Sequence, residues 1–367
     1  MRVPLVDLGW QHDQIVSEVQ RGIEEVIANT AFIQGPDVAQ FETSFAEFTG
    51  VDYCIGVANG TDALELATRA LGIGPGDKVV VPANSFIASA LGVIRAGAEV
   101  VLVDCDPVTH LMDMEKARSA IDGAVRAIMP VHLYGQIAPI EHLRDLPDSI
   151  AVIEDAAQSQ GATRYGVGSG SMGRIAATSF YPGKNIGAYG DAGAVLTNDA
   201  DLAAQVRKLG NWGSAEKYHH PELGFNSRLD TIQAVVLSAK LARLSQWNEA
   251  RSMAAKRYEQ LLAGVERVRL PHVLEGNTHI WHVYVIRVPD RDRVLSELHA
   301  AGVGVGVHYP IPMHLQGALS GLGYRAGDFP NSESAAKEIL SLPMFPGITE
   351  SQQEFVAHEL RRSLASE

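Results

Sequence analysis

Four apolar runs limit the fold of this chain more than any other feature: KVVVPA at 78–83, EVVLVDCD at 99–106, AVRAIMPVHL at 124–133 and IAVIEDA at 150–156. Each is apolar on consecutive positions, so both faces of the strand it forms must be covered. Stretches of helical spacing separate the runs, as at Phe86–Ala96. Strands joined by helical crossovers build a mostly parallel sheet with helices on both sides. Two further short strands, AATSFYP at 176–182 and GAVLTND at 193–199, flank a Gly-rich segment. The expected fold class is therefore α/β.

Periodicity fills in the rest. Ile15, Val19, Ile23, Val26 and Ile27 predict a helix from Asp13 to about Ile27. Val38, Phe41, Phe45 and Phe48 predict a second from Pro36, ended by Gly50. YCIGVAN reads as a strand, and GTDALELATRALG as a helix opening at Thr61. Helical spacing then persists from Asp230 to about Leu262. HIWHVYVIRV, the helical RVLSELHAAG, VGVGVHYP and a last helix from Gln352 resemble a small α+β lobe. With 367 residues the chain suits two domains. The boundary is expected inside the long helix near Gln246, dividing a large domain, 1–245, from a small C-terminal one, 246–367.

A formal charge of -13, with no local Lys/Arg cluster, excludes a nucleic-acid binder. Cys54 and Cys105 both lie inside apolar runs and read as buried thiols, not as a disulfide or a metal site. MRVPLVDLGWQ shows no basic-then-apolar leader pattern, and no apolar run approaches membrane-spanning length. No metal site is expected, and a cytoplasmic location without membrane contact is.

Four segments carry candidate chemistry. In Ala58-Asn59-Gly60-Thr61-Asp62 a strand enters a helix N-terminus through Gly, which makes either an anion site or an ordinary turn with an N-cap. In Glu154-Asp155-Ala156-Ala157-Gln158 two carboxylates end an apolar strand, at the sheet edge where ligands collect in doubly wound folds, or else cap the next helix. In Ser179-Phe180-Tyr181-Pro182-Gly183-Lys184 a lysine stands among aromatic and small residues with no carboxylate beside it. Such an amine is either a desolvated nucleophile or an exposed loop residue. In Gly224-Phe225-Asn226-Ser227-Arg228 polar groups precede the long helix, as capping residues or, for Arg228, as an anion contact.

The order of these segments decides between the alternatives. Pyridoxal phosphate (PLP) requires a phosphate cup, an acid to keep its ring nitrogen protonated and a lysine to form a Schiff base, and an aromatic at Phe86 is available to stack on the ring. GTDAL at 60–64, EDAAQSQGA at 154–162, SFYPGKNIGAYGDAGAV at 179–195, GFNSRLDTIQAVVL at 224–237 and HYPIPMHLQ at 308–316 resemble the sugar aminotransferases of the DegT/DnrJ/StrS family. The likeness runs in register from PLVDL near the start to LSLPMFP at 340–346.

This resemblance implies a fold type I PLP aminotransferase. It implies that Lys184 forms the Schiff base and shuttles the proton, that Asp155 pairs with the ring nitrogen, that Gln158 meets the ring oxygen and that Phe86 stacks. Gly60, Thr61 and Ser179 would bind the phosphate, joined by Asn226 from the neighbouring subunit of a homodimer with shared sites. Tyr181, Lys217, Arg228, His308 and Tyr309 are the substrate-side candidates. The implied reaction passes an amino group from L-glutamate to a nucleotide-linked keto-sugar. KYHHPELGFNSRLD and HYPIPMHLQ resemble members acting on dTDP-linked 3-keto-6-deoxyhexoses. The alternatives are a 4-keto nucleotide sugar, a keto-cyclitol and a non-catalytic regulatory relative. Asn59, where many members carry Ser or Thr, and Trp212, where Tyr is common, depart from the pattern without removing a catalytic group.

Overall fold

The computed structural model describes residues 1–365. Its centre is a seven-stranded sheet of β1 (Tyr53–Val57), β2 (Lys78–Pro82), β3 (Glu99–Val103), β4 (Val125–Ile128), β5 (Ala151–Asp155), β6 (Ile175–Ser179) and β7 (Gly193–Thr197). The spatial order is β1-β7-β6-β5-β4-β2-β3. Only β7 runs against its neighbours, pairing antiparallel with both β1 and β6. Val79, Val80 and Val81 are each fully buried, which follows from helices covering both faces of an apolar run.

The helices follow the predicted pattern with instructive shifts. The helix expected from Asp13 to about Ile27 is α1 (Val16–Asn29), which starts three residues later, and a short helix not expected, Leu8–Asp13, precedes it. The Asp7 carboxylate caps the first by accepting from Trp10 N–H at 3.0 Å, and Ile15 breaks the run with φ -131° while burying its side chain. Helix α2 (Pro36–Thr49) ends where Gly50 turns left-handed, as its sequence predicts. Helix α3 (Gly60–Ala70) starts one residue before Thr61, because Asn59 is the N-cap, its Oδ1 accepting from Asp62 N–H at 2.8 Å. Helix α4 spans Ala88–Ala96, so Phe86 precedes it. Helix α5 (Thr231–Leu262) is continuous over 32 residues.

Beyond α5 a separate apolar cluster forms around β8 (Tyr284–Arg287) and β9 (Ile339–Leu342), which pair antiparallel. Helices α6 (Arg291–Ala300) and α7 (Glu350–Ala365) pack on it, together with Ala254, Tyr258 and Leu262 from the end of α5. VGVGVHYP, expected as part of this lobe, holds only isolated bridges at Val303 and Gly306. The N-terminal segment reaches across to it: Val3 N–H donates to Gly302 O, Gly304 N–H donates to Val3 O, and Val3 is fully buried in this second core. A Cβ at Gly304 would lie 2.7 Å from Leu5 N, so glycine is what admits that close passage.

Candidate active site

The carboxyl ends of β1, β2, β5 and β6 open on one cavity of about 700 Å³, lined in part by Gly60, Thr61, Phe86, Asp155, Gln158, Ser179, Tyr181, Lys184, His308 and Tyr309. This is the edge where ligands collect in open α/β sheets. Asp155 is the last residue of β5 and is 4% exposed. Its Oδ2 accepts from Ser89 Oγ at 2.7 Å and its Oδ1 from Ala157 N–H at 3.2 Å. Alternation along β5 sends the adjacent Glu154 to the other face, where it is fully buried. Burial alone would raise the Glu154 carboxyl. His132 at 2.8 Å and the amides of Gly170, Met172 and Gly173 at 2.6–2.8 Å more than offset this and hold it below the usual range. The two neighbouring carboxylates therefore have different work, one facing the cavity and one fastening the loop at 170–173.

At the opposite end of the cavity stands the first turn of α3. The amides that begin a helix have no acceptor within it. The Asn59 side chain takes that of Asp62 and Asn59 O takes that of Ala63, while those of Gly60 and Thr61, at the cavity wall, have no acceptor among the described residues. Ser179 closes the same corner: a Cβ on Gly60 would lie 2.6 Å from Ser179 Cβ and 3.0 Å from its Oγ.

Lys184 lies between these ends, in a loop tied down on all sides. Lys184 N–H donates to Tyr181 O, and Ala188 N–H donates to Phe180 O. Asn185 Nδ2 donates to Asn248 Oδ1 at 2.8 Å and to Ile280 O at 3.0 Å. Lys240 Nζ, from the buried face of α5, donates to Gly187 O at 2.6 Å. Among the described residues Lys184 Nζ makes neither a hydrogen bond nor an ion pair. Burial lowers its pKa to about 8, against a smaller upward pull from Asp155.

Gln158 joins the two walls, its Oε1 accepting from Tyr134 N–H at 2.7 Å and its Nε2 donating to Tyr309 OH at 3.1 Å. The Phe86 ring, half exposed, lies 5.3 Å from that of Tyr309. His282 also lines the cavity. Burial, then the Lys184 charge, holds it well below the ordinary imidazole range, and its neutral ring donates Nδ1–H to Asn185 Oδ1 at 3.1 Å.

Asn226, Lys217 and Arg228 are not brought to this cavity within one chain. Asn226 is exposed, Lys217 lies 5.1 Å from the Tyr218 ring, and the Arg228 guanidinium stacks 4.4 Å over Trp212 beside a separate small pocket. Sequence reasoning passed over Ser85, Ser89, Tyr134, Asn185, His282 and Lys240. Ser89, three residues after Phe86, and His282, a polar break in an apolar run, left signals; Tyr134 and Lys240 left none.

These residues fit pyridoxal phosphate. Open helix amides and a hydroxyl suit a phosphate. A buried carboxylate at the far end suits a protonated ring nitrogen, an exposed aromatic suits a ring face, and an amine without a counter-ion suits a carbonyl carbon.

The comparisons agree. The chain is 43% identical to a pleiotropic regulatory protein of Geobacillus stearothermophilus, over 98% of each chain. It is 42% identical to dTDP-3-amino-3,4,6-trideoxy-alpha-D-glucose transaminase of Streptomyces venezuelae, over 96% of this chain and 93% of that one. The crystal structure of S. venezuelae DesV in complex with a ketimine intermediate superposes with a TM-score of 0.96 at 41% identity, covering 98% of both chains. The model of the DegT/DnrJ/EryC1/StrS aminotransferase family matches residues 13–361. With fold, cavity and likeness in accord, the chain belongs to the DegT/DnrJ/EryC1/StrS aminotransferase family and is a pyridoxal phosphate-dependent sugar aminotransferase.

Proposed function

We propose that this chain passes an amino group from L-glutamate to a nucleotide-linked keto-sugar, with a dTDP-linked 3-keto-6-deoxyhexose as the favoured acceptor. One observation carries the amine chemistry: Lys184 is an amine without a counter-ion, poised at about 8, in the same cavity as Asp155 and the open amides of α3. Pyridoxal phosphate, when bound, withdraws electrons from the carbon bearing the amino group and so makes its C–H acidic. Lys184 Nζ is the base that takes that proton and the acid that returns it. A lysine at its ordinary pKa of about 10.4 would be almost wholly protonated near pH 8 and unable to do so. Asp155 supplies negative charge at the ring-nitrogen end, Gln158 a polar contact at the ring oxygen, and Phe86 a stacking surface. Gly60, Thr61 and Ser179 donate to the phosphate.

Tyr181, His308 and Tyr309 are assigned to the substrate side. Asn226, Lys217 and Arg228 are assigned to the site of a neighbouring subunit in a homodimer. Their placement outside their own chain's cavity supports this, as does the exposure of Tyr218 (85%) and Leu223 (95%) in the same loop, apolar side chains that a second copy would cover. Residues 1–245 and 246–367 are assigned as the cofactor-binding and C-terminal domains, a division supported by the separate core around β8 and β9.

The 3-keto preference is supported by the S. venezuelae transaminase, whose product name places the amino group at C3. Lys184→Ala is expected to abolish both turnover and the absorbance of the lysine-linked cofactor; retention of both would refute the assignment. Purified protein with glutamate and either 3-keto or 4-keto dTDP sugars decides the acceptor by which amino sugar forms. The regulatory relative motivates a second reading, a cofactor-binding protein without turnover, which the same assay excludes if product accumulates.

A further inference from the structure

Asp155 is not alone at its end of the cavity. Ser89 Oγ stands 2.7 Å from Asp155 Oδ2, and Ser85 Oγ stands 2.7 Å from Ser89 Oγ. Ser85 is 3% exposed and Ser89 1%, so both hydroxyls are buried at the cavity wall. A hydroxyl has a single proton to donate. Ser89 Oγ donates to Asp155 Oδ2, so the proton between the two serines must come from Ser85. The chain of donors runs one way, toward the carboxylate, and each link polarises the next.

We propose that Ser85 and Ser89 are positioning residues that clamp one oxygen of Asp155 and so fix the direction of the other. This deepens the reading of Asp155 as the partner of the cofactor's ring nitrogen and rests on it. With Oδ2 engaged by Ser89, Oδ1 meets only the longer Ala157 amide contact at 3.2 Å among the described residues and is the oxygen left for a cationic partner. Ser85 and Ser89 bracket Phe86, so one short segment, SFIAS, sets both the carboxylate's clamp and the aromatic assigned to the ring face. A shift of this segment would disturb the support of the ring nitrogen and the stacking surface together.

Two titratable groups face Asp155. Lys184 feels its charge, and the Tyr309 phenol is raised first by burial and then by Asp155. Neither donates a hydrogen bond to the carboxylate among the described residues, so Ser89 and the Ala157 amide are its donors there.

The test uses holoenzyme of wild type, Ser89→Ala, Ser89→Thr, Ser85→Ala and Asp155→Asn. Two quantities are read: the pH at which the absorbance of the lysine-linked cofactor changes, and kcat and KM separately. Ser89→Ala is expected to raise the titration midpoint, because less charge is held at the ring nitrogen, and to lower kcat about ten-fold with KM for glutamate little changed. Ser89→Thr keeps the hydroxyl and is expected to restore both. Ser85→Ala leaves the direct contact in place and should move the midpoint the same way by less. If Ser89→Ala matches wild type in both quantities while Asp155→Asn shifts them, the serine chain has no such role and the proposal fails alone. If Asp155→Asn also matches wild type, the assignment of Asp155 fails, and the proposal with it.

Discussion

Replacing Gly60 by Ala tests the phosphate corner with a single methyl group. Helix propensity favours the change by up to about 1 kcal/mol, so any loss must come from sterics. The new Cβ would lie 2.6 Å from Ser179 Cβ, 3.0 Å from its Oγ and 3.2 Å from its Cα. Carbon atoms pack at about 3.5–4.0 Å, so the start of α3 and the end of β6 must part by about 1 Å. Overpacking of that kind costs about 1–3 kcal/mol of stability. The displacement also spoils the convergence of the Gly60 and Thr61 amides with Ser179 Oγ. Each hydrogen bond to a charged group contributes about 1.5–3 kcal/mol, so losing one weakens cofactor binding about ten- to a hundred-fold. Titration of the apoprotein with pyridoxal phosphate, followed by absorbance, measures the dissociation constant, and urea unfolding of the same apoprotein measures stability. Gly123→Ala is the control, since a Cβ there meets nothing within 4 Å. A Gly60→Ala dissociation constant within two-fold of wild type would refute the reasoning, whatever happens to stability.

Glu154→Gln should destabilise by about 3–5 kcal/mol in urea unfolding, because the amide nitrogen must face two N–H donors in a fully buried site; a loss under about 1 kcal/mol would contradict the fastening role. Acid should weaken the fold before carboxylates protonate. Burial lowers His110 and His308 to about 4 and His279 to about 3, and holds His282 well below its ordinary value. With folded values depressed, the unfolded chain binds the extra protons, so stability is complete above about pH 6.5 and falls toward pH 4. Near pH 5 unfolding should take up about three to four protons, read as the slope of unfolding free energy against pH, and a flat profile from 6.5 to 5 would refute it. Leu223→Asp with Tyr218→Asp should shift the sedimentation of the purified protein toward monomer and weaken cofactor retention; an unchanged assembly would remove this loop from the interface.

Much of the frame was legible because its physics is local. Runs such as Val79–Val81 demand cover on both faces wherever they lie, and Gly50 ends a helix by its own backbone freedom. The misreadings fell at helix starts, one decided by a tertiary contact and one by a local cap. Ile15 breaks the first helix to reach the core, and Asn59 displaces Thr61 from the start of α3 by reaching back to the Asp62 amide. At the site, residue type alone left Asp155 and Glu154 alike and the family resemblance chose Asp155; the strand's alternation sends Asp155 to the cavity and Glu154 to His132. Tyr134 and Lys240 were invisible because their partners are distant in sequence: Gln158 lies 24 residues from Tyr134, and Gly187 lies 53 from Lys240.

The sequence by itself determined the sheet, the chain order of phosphate corner, acid and lysine, and with them the kind of enzyme, since apolar period and residue type act over a few positions. Only the tertiary structure decided what each charged group experiences. Lys184 is an ordinary lysine until the fold desolvates its amine without giving it an ion pair among the described residues, and Asp155 is one of a pair until Ser89 reaches it from helix α4. Charge states depend on what lies within a few ångströms in space, and that neighbourhood is drawn from segments the sequence keeps apart.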